Sequence, residues 1–96
     1  MPVVTFSISP SSAMIFADGT VYNRKTGDRV SDLRLMAGSQ VDIDMPEGFY
    51  SYLFELRGGD GTATIKRECG VGARVQEETF DNAGARKNRV FRFEVG

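Results

Sequence analysis

The stretch Phe49-Tyr-Ser-Tyr-Leu-Phe-Glu-Leu-Arg57 constrains this chain more than any other feature. Successive side chains of a strand project to opposite faces, so Tyr50, Tyr52, Phe54 and Leu56 share one face and Phe49, Ser51, Leu53 and Glu55 the other. Both sets are rich in apolar groups, which predicts a central strand largely covered on both sides. Just before it, Val41, Ile43 and Met45 alternate with Asp42 and Asp44, and Pro46-Glu-Gly48 turns one strand toward the next.

The same period of two recurs along the chain. Val4, Phe6 and Ile8 alternate with Thr5 and Ser7 until Pro10-Ser-Ser, and Phe91, Phe93 and Val95 alternate with Arg92 and Glu94. Asp18-Gly19 stands between Ala13-Met-Ile-Phe-Ala and Thr20-Val-Tyr-Asn, which predicts a hairpin turn there. Arg24-Lys-Thr-Gly-Asp28 reads as a turn. Val30 to Met36 fits a strand or one helical face, with strand favoured, and Gly38 closes it. Gly58-Gly-Asp-Gly61 predicts a further hairpin turn, followed by a half-exposed strand from Thr62 to Glu68. A glycine break after Cys69, a strand from Val75 to Phe80 and a polar loop over 81–88 complete the pattern.

Eleven glycines among 96 residues supply the turns such strands need. The 41% hydrophobic and 26% charged content is that of an ordinary globular chain. The prediction is an all-β fold: a single antiparallel β-sandwich, immunoglobulin-like or transthyretin-like, of about seven to eight short strands spanning residues 1–96 as one domain.

Composition also limits the chemistry. There is no histidine, which excludes Ser-His-Asp and Cys-His nucleophile arrangements and His-containing zinc sites. Cys69 is the only cysteine, so neither an intrachain disulfide nor an all-cysteine zinc site can form. Twelve Lys and Arg against thirteen Asp and Glu leave a net charge of −1, too balanced to hold a nucleic-acid backbone or an anionic membrane. No apolar run reaches the roughly 20 residues of a membrane span. Met1-Pro-Val-Val-Thr-Phe-Ser lacks the basic start and apolar middle of a signal peptide, which points toward the cytoplasm without fixing the compartment. No cofactor and no enzymatic activity are expected.

Several constellations carry candidate functions. Asp42 and Asp44 lie two apart on one strand face, where they can form a carboxylate pair for Ca²⁺ or for acid–base work; a solvent-facing stripe opposite Val41, Ile43 and Met45 is the favoured reading. Glu47, Asp18, Asp28 and Asp60 show no calcium-loop spacing around them. Tyr22, Tyr50 and Tyr52 with Phe49 can form a platform for sugar rings, against a favoured reading in which Tyr50 and Tyr52 belong to the core with Phe54 and Leu56. Arg86, Lys87, Arg89 and Arg92, with Arg74 upstream, make the C-terminal quarter basic, with Glu77, Glu78 and Asp81 as counterweight. Cys69, flanked by Lys66 and Arg67, reads as a structural cysteine.

Gly19-Thr-Val21-Tyr-Asn-Arg-Lys-Thr26-Gly27-Asp-Arg-Val30 and the later Met45-Pro46-Glu-Gly48-Phe-Tyr50-Ser-Tyr52 give residues 19–56 a strand, a Thr-Gly turn and a Pro-x-Gly-x-Tyr turn into a strand. This resembles the carboxypeptidase-regulatory-like domains of the transthyretin-like sandwich class. The chain departs from their pattern in lacking a glycine-aromatic strand between the two segments. The resemblance implies a non-enzymatic accessory or binding module and assigns no functional residue.

The leading expectation is a non-catalytic interaction or assembly module that binds a protein partner or itself, homo-oligomer included. The alternative is a carbohydrate-binding module using Tyr22, Tyr50, Tyr52 and the strand carboxylates. Residues 3–8 bear no charge, so if this strand lies at a sheet edge, Val3, Thr5 and Ser7 mark an interface with a second chain. A Thr5→Lys substitution would then weaken association.

Overall fold

In a computed structural model, which describes residues 3–69, 75–82 and 88–95, the chain forms eight strands in two antiparallel sheets. The strands are β1 (Val3–Pro10), β2 (Phe16–Asn23), β3 (Arg29–Leu35), β4 (Gln40–Asp44), β5 (Gly48–Arg57), β6 (Thr62–Cys69), β7 (Val75–Asp81) and β8 (Arg89–Val95). Sheet A has the order β4-β1-β6-β7 and sheet B the order β3-β2-β5-β8. Among the described residues there is no helix. The predicted β-sandwich is therefore the fold, and the 30–36 segment is a strand.

The alternating apolar residues face inward from both sheets. Val4, Phe6 and Ile8 of β1 and Ala63 and Ile65 of β6 meet Ala17, Val21, Leu33, Leu35 and the even-numbered residues 50–56 of β5. Every strand contributes, since Phe80, Phe91, Phe93 and Val95 complete the cluster and Val41 and Ile43 pack against it. Aromatic rings join the layers edge to face: Phe6 to Phe93 at 5.2 Å and Phe80 to Phe54 at 5.0 Å between centroids, the arrangement that ring quadrupoles favour.

Three local readings are corrected. Asp18-Gly19 is not a turn: both residues lie within β2, which runs unbroken between β3 and β5. Gly19 is needed for close approach instead, because a Cβ there would lie 2.0 Å from the Leu53 carbonyl oxygen and 2.6 Å from Phe54 Cα. An Asp-Gly pair marks a hairpin by its conformational freedom, and absence of a side chain serves a crowded strand equally well.

Gly58 to Gly61 does turn the chain, but not as a hairpin. It carries the chain from β5 in sheet B to β6 in sheet A. At Gly58 φ is 95°, and a Cβ would sit 1.8 Å from the Met14 carbonyl. This crossing packs against the one from β1 to β2, where Ser11 N donates to Thr62 O and Thr62 N to Ser11 Oγ. The β2–β3 connection is a true hairpin. Asn23 Oδ1 accepts from the amides of Lys25 and Thr26, and Gly27 takes φ 78°, the side-chain-stabilised turn that Asn favours.

The third correction concerns β1. It is hydrogen-bonded to β4 on one side and β6 on the other, so its backbone is not an edge, and the pairing route for Val3, Thr5 and Ser7 is closed. A charge-free strand is what the middle of a sheet tolerates best, so the missing charges reflect interior position.

Gly19→Ala forces β2 and β5 apart at the centre of sheet B. The expected cost is about 3 kcal/mol, measured by chemical denaturation, whereas Thr20→Ala on the opposite face of β2 changes stability by only about 0.5 kcal/mol.

Candidate functional site

The two outer faces differ in chemistry. On sheet A the outward residues are Thr5 and Ser7 of β1, Asp42 and Asp44 of β4, Thr64, Lys66 and Glu68 of β6, and Glu77 and Thr79 of β7, with Val3 and Val75 apolar at one end. These side chains pair with one another across strands: Thr5 Oγ1 to Asp42 at 2.8 Å, Thr64 to Thr79 at 2.8 Å, and Lys66 to Glu68 at 3.2 Å along β6. Apart from Val3 and Val75, this face is a solvated polar surface.

Sheet B presents the odd-numbered residues of β5. Leu53 lies directly between Thr20 of β2 and Val90 of β8, and Ser51 between Tyr22 and Arg92. Phe49 is 55% and Leu53 41% exposed, while Tyr22 and Val90 are half-buried. Arginines flank this strip: Arg24 stands 5.9 Å from the Phe49 ring centroid and Arg34 5.3 Å from that of Phe16, within cation–π range. Large apolar groups gathered on one face and ringed by charge are the usual form of a protein-recognition surface.

Beside the strip is an open hollow of about 300 Å³ bordered by Asp18, Leu53, Glu55, Arg57 and Asn88. Asp18 and Glu55 sit directly opposite one another across β2 and β5, a repulsive placement. Each is offset by an arginine: Arg34 lies 3.6 Å from Asp18 and Arg57 3.3 Å from Glu55. Paired in this way, the carboxylates serve surface charge balance.

The tyrosines are not brought together as a platform. Tyr50 and Tyr52 are buried in the core, and only Tyr22 reaches the outer face. Tyr50 OH donates to Pro46 O at 2.7 Å and Tyr52 OH to Leu33 O at 2.7 Å. The first resembles the tyrosine corner of other sandwiches, where a hydroxyl ties a strand start to backbone a few residues upstream. The second spans from β5 beyond β2 to β3. Burial, with a smaller contribution from the Asp18 carboxylate, holds the Tyr52 hydroxyl well above the ordinary tyrosine range. Burial also raises Tyr50.

Asp42 and Asp44 occupy the exposed face of the short edge strand β4, Asp42 accepting from Thr5. Among the described residues no three Asp, Glu or Cys side chains gather as metal ligands, so the calcium reading of this pair has no further ligands to complete it. Of the basic group, Arg89 donates to Asp81 O at 2.8 Å and Arg92 is exposed on β8; Arg74, Arg86 and Lys87 lie outside the described residues. Cys69 is half-buried, with Arg67 Nη1 3.5 Å from its sulfur.

One constellation escaped sequence reasoning. Arg67 is 4% exposed and faces inward from β6. Its Nη2 donates at 2.8 Å to Gln76 Oε1 on β7, which also accepts from Glu94 N at 3.3 Å, while Gln76 Nε2 donates to Arg92 O at 2.7 Å. The Gln76 amide thus acts as a peptide group would in an added strand, and closes the outer edge of β8. The available signal was Arg67 standing in phase with Ala63 and Ile65.

Above pH 10, the ordinary tyrosine pKa, unfolded Tyr52 loses its proton while folded Tyr52 keeps it, so the unfolded state binds fewer protons and stability falls with rising pH. In wild type this contributes a loss of up to about 1.4 kcal/mol per pH unit above about pH 10. Tyr52→Phe removes that contribution at a cost of about 1 kcal/mol at neutral pH; urea denaturation of both proteins from pH 7 to 11 checks it.

No family model matches this chain, and comparison with curated proteins and with solved structures likewise found no match.

Proposed function

We propose that the chain is a non-catalytic interaction module that engages a protein partner through the outer face of sheet B. The observation carrying this reading is the contrast between the two outer faces: sheet A is polar along its middle, with Val3 and Val75 apolar at one end, while sheet B leaves Phe49 and Leu53 open on its central strand β5, beside Tyr22 and Val90. Aromatic and aliphatic anchors at the centre of a charged rim are where binding energy concentrates in protein interfaces. The lack of histidine accords with a role that needs no proton shuttle. The sugar-binding alternative loses its main support, because two of its three tyrosines spend their hydroxyls on backbone carbonyls in the core.

The test compares immobilised wild type with the double variant Phe49→Ser, Leu53→Lys, both verified as folded by thermal unfolding. A partner retained by wild type, identified by mass spectrometry and then purified, should bind the variant at least about 100-fold more weakly, a loss of the size found for central hot-spot residues. Equal binding to both proteins, or no specific partner of wild type, would contradict the reading.

A further inference from the structure

Four strands form the edges of this sandwich, β4 and β7 in sheet A and β3 and β8 in sheet B. An open edge recruits another strand unless something blocks it, and the four differ in what blocks them. On β8 the outward groups Arg92 O and Glu94 N are taken by the Gln76 amide. On β7, self-pairing centred on Glu77, Glu78 or Thr79 sets acid against acid, and Glu78 is a charge on the inward-facing side of the strand. On β4, antiparallel self-pairing centred on Asp42 or Ile43 places Asp opposite Asp. Like charges directly opposite one another oppose such pairing.

Strand β3 has the opposite character. A two-fold antiparallel pairing centred on Leu33 sets Asp32 opposite Arg34 of the second copy and Arg34 opposite its Asp32, all on the outer face. Asp32 and Arg34 are well exposed, with side-chain accessibilities of 69% and 60%. The same register carries Val30 toward Met36 of the second copy; these are 37% and 50% exposed. On the inner face Leu33 meets Leu33. The irregularity in the β2–β3 ladder falls between Val21 and Tyr22, beside Val30 and outside the 32–34 centre.

We propose that β3 is the assembly edge of this protein and that its occupant is β3 of a second copy, which joins the two B sheets into one continuous eight-stranded sheet. This rests on the reading of the chain as an interaction module and names one partner for it. A two-fold interface requires a self-complementary patch, and among the described edges β3 is the one whose two-fold register, centred on Leu33, sets opposite charges against each other.

Charge reversal tests the register. In Asp32→Lys the introduced lysine faces Arg34 of the second copy, and in Arg34→Glu the introduced glutamate faces its Asp32, so each variant repels itself. Mixed together they are complementary at both pairs. Sedimentation velocity should find wild type dimeric, each variant at least roughly tenfold weaker in self-association, and the equimolar mixture restored. Far-UV circular dichroism confirms the fold of each. The proposal is overturned if wild type stays monomeric up to about 1 mM, if either variant dimerises like wild type, or if the mixture stays monomeric. A monomeric wild type that still captures its partner through Leu53 overturns the dimer alone. A dimer with no partner dependent on Leu53 overturns the sheet B face alone.

Discussion

The inner face of β5 is the constraint on which the rest of the structure depends. Tyr50, Tyr52, Phe54 and Leu56 are at most 2% exposed, and the three aromatic residues each tie the strand to something else. Tyr50 stacks on Phe93 of β8, Phe54 stacks on Tyr52 and receives Phe80 of β7 edge-on, and the two hydroxyls bond to carbonyls before β5 and on β3. A buried hydroxyl without a partner costs about 1–3 kcal/mol, so each bond fixes where the neighbouring backbone must lie. The approach of β2 to β5 at Gly19 follows from the same crowding. With its even-numbered aromatics committed inward, β5 has only Phe49, Ser51, Leu53, Glu55 and Arg57 to present outward.

Closure at the sides uses a different physics. Where β7 and β8 run at the edges of opposite sheets, apolar packing thins to Phe80, and a polar clasp of Arg67 and Gln76 spans the gap. A buried guanidinium is costly unless its donors are met. The same Gln76 that accepts from Arg67 Nη2 also occupies the edge of β8, so one amide both meets a donor of a buried cation and blocks strand addition. On the β3 and β4 side the edge strand β4 carries the charges of Asp42 and Asp44.

Much of this was legible in the sequence because period-two patterning is local. The alternations at residues 4–8, 50–56 and 91–95 report burial directly, and the strands other than β2 fall where apolar alternation and turn residues place them. What was not legible depends on which strands become neighbours. Asp18-Gly19 has the composition of a turn, and only the crowding from β5 shows why glycine stands inside a strand. The uncharged β1 looks like a vulnerable edge until β4 and β6 are seen to flank it. Tyr50 and Tyr52 were readable as core by phase, but their carbonyl partners were not. The Arg67 and Gln76 clasp joins residues from three strands, and the outward row Thr20, Leu53, Val90 is likewise assembled from three.

The division of β5 into a spent inner face and a presented outer one underlies both the stability of the sandwich and the assignment of a recognition surface. Tyrosine nitration of the native protein, mapped by peptide mass spectrometry, tests that division directly. The account predicts modification at Tyr22, the one tyrosine on the outer face, with Tyr50 and Tyr52 modified only after unfolding. Nitration of Tyr50 or Tyr52 in the folded protein at the rate of Tyr22 would contradict it.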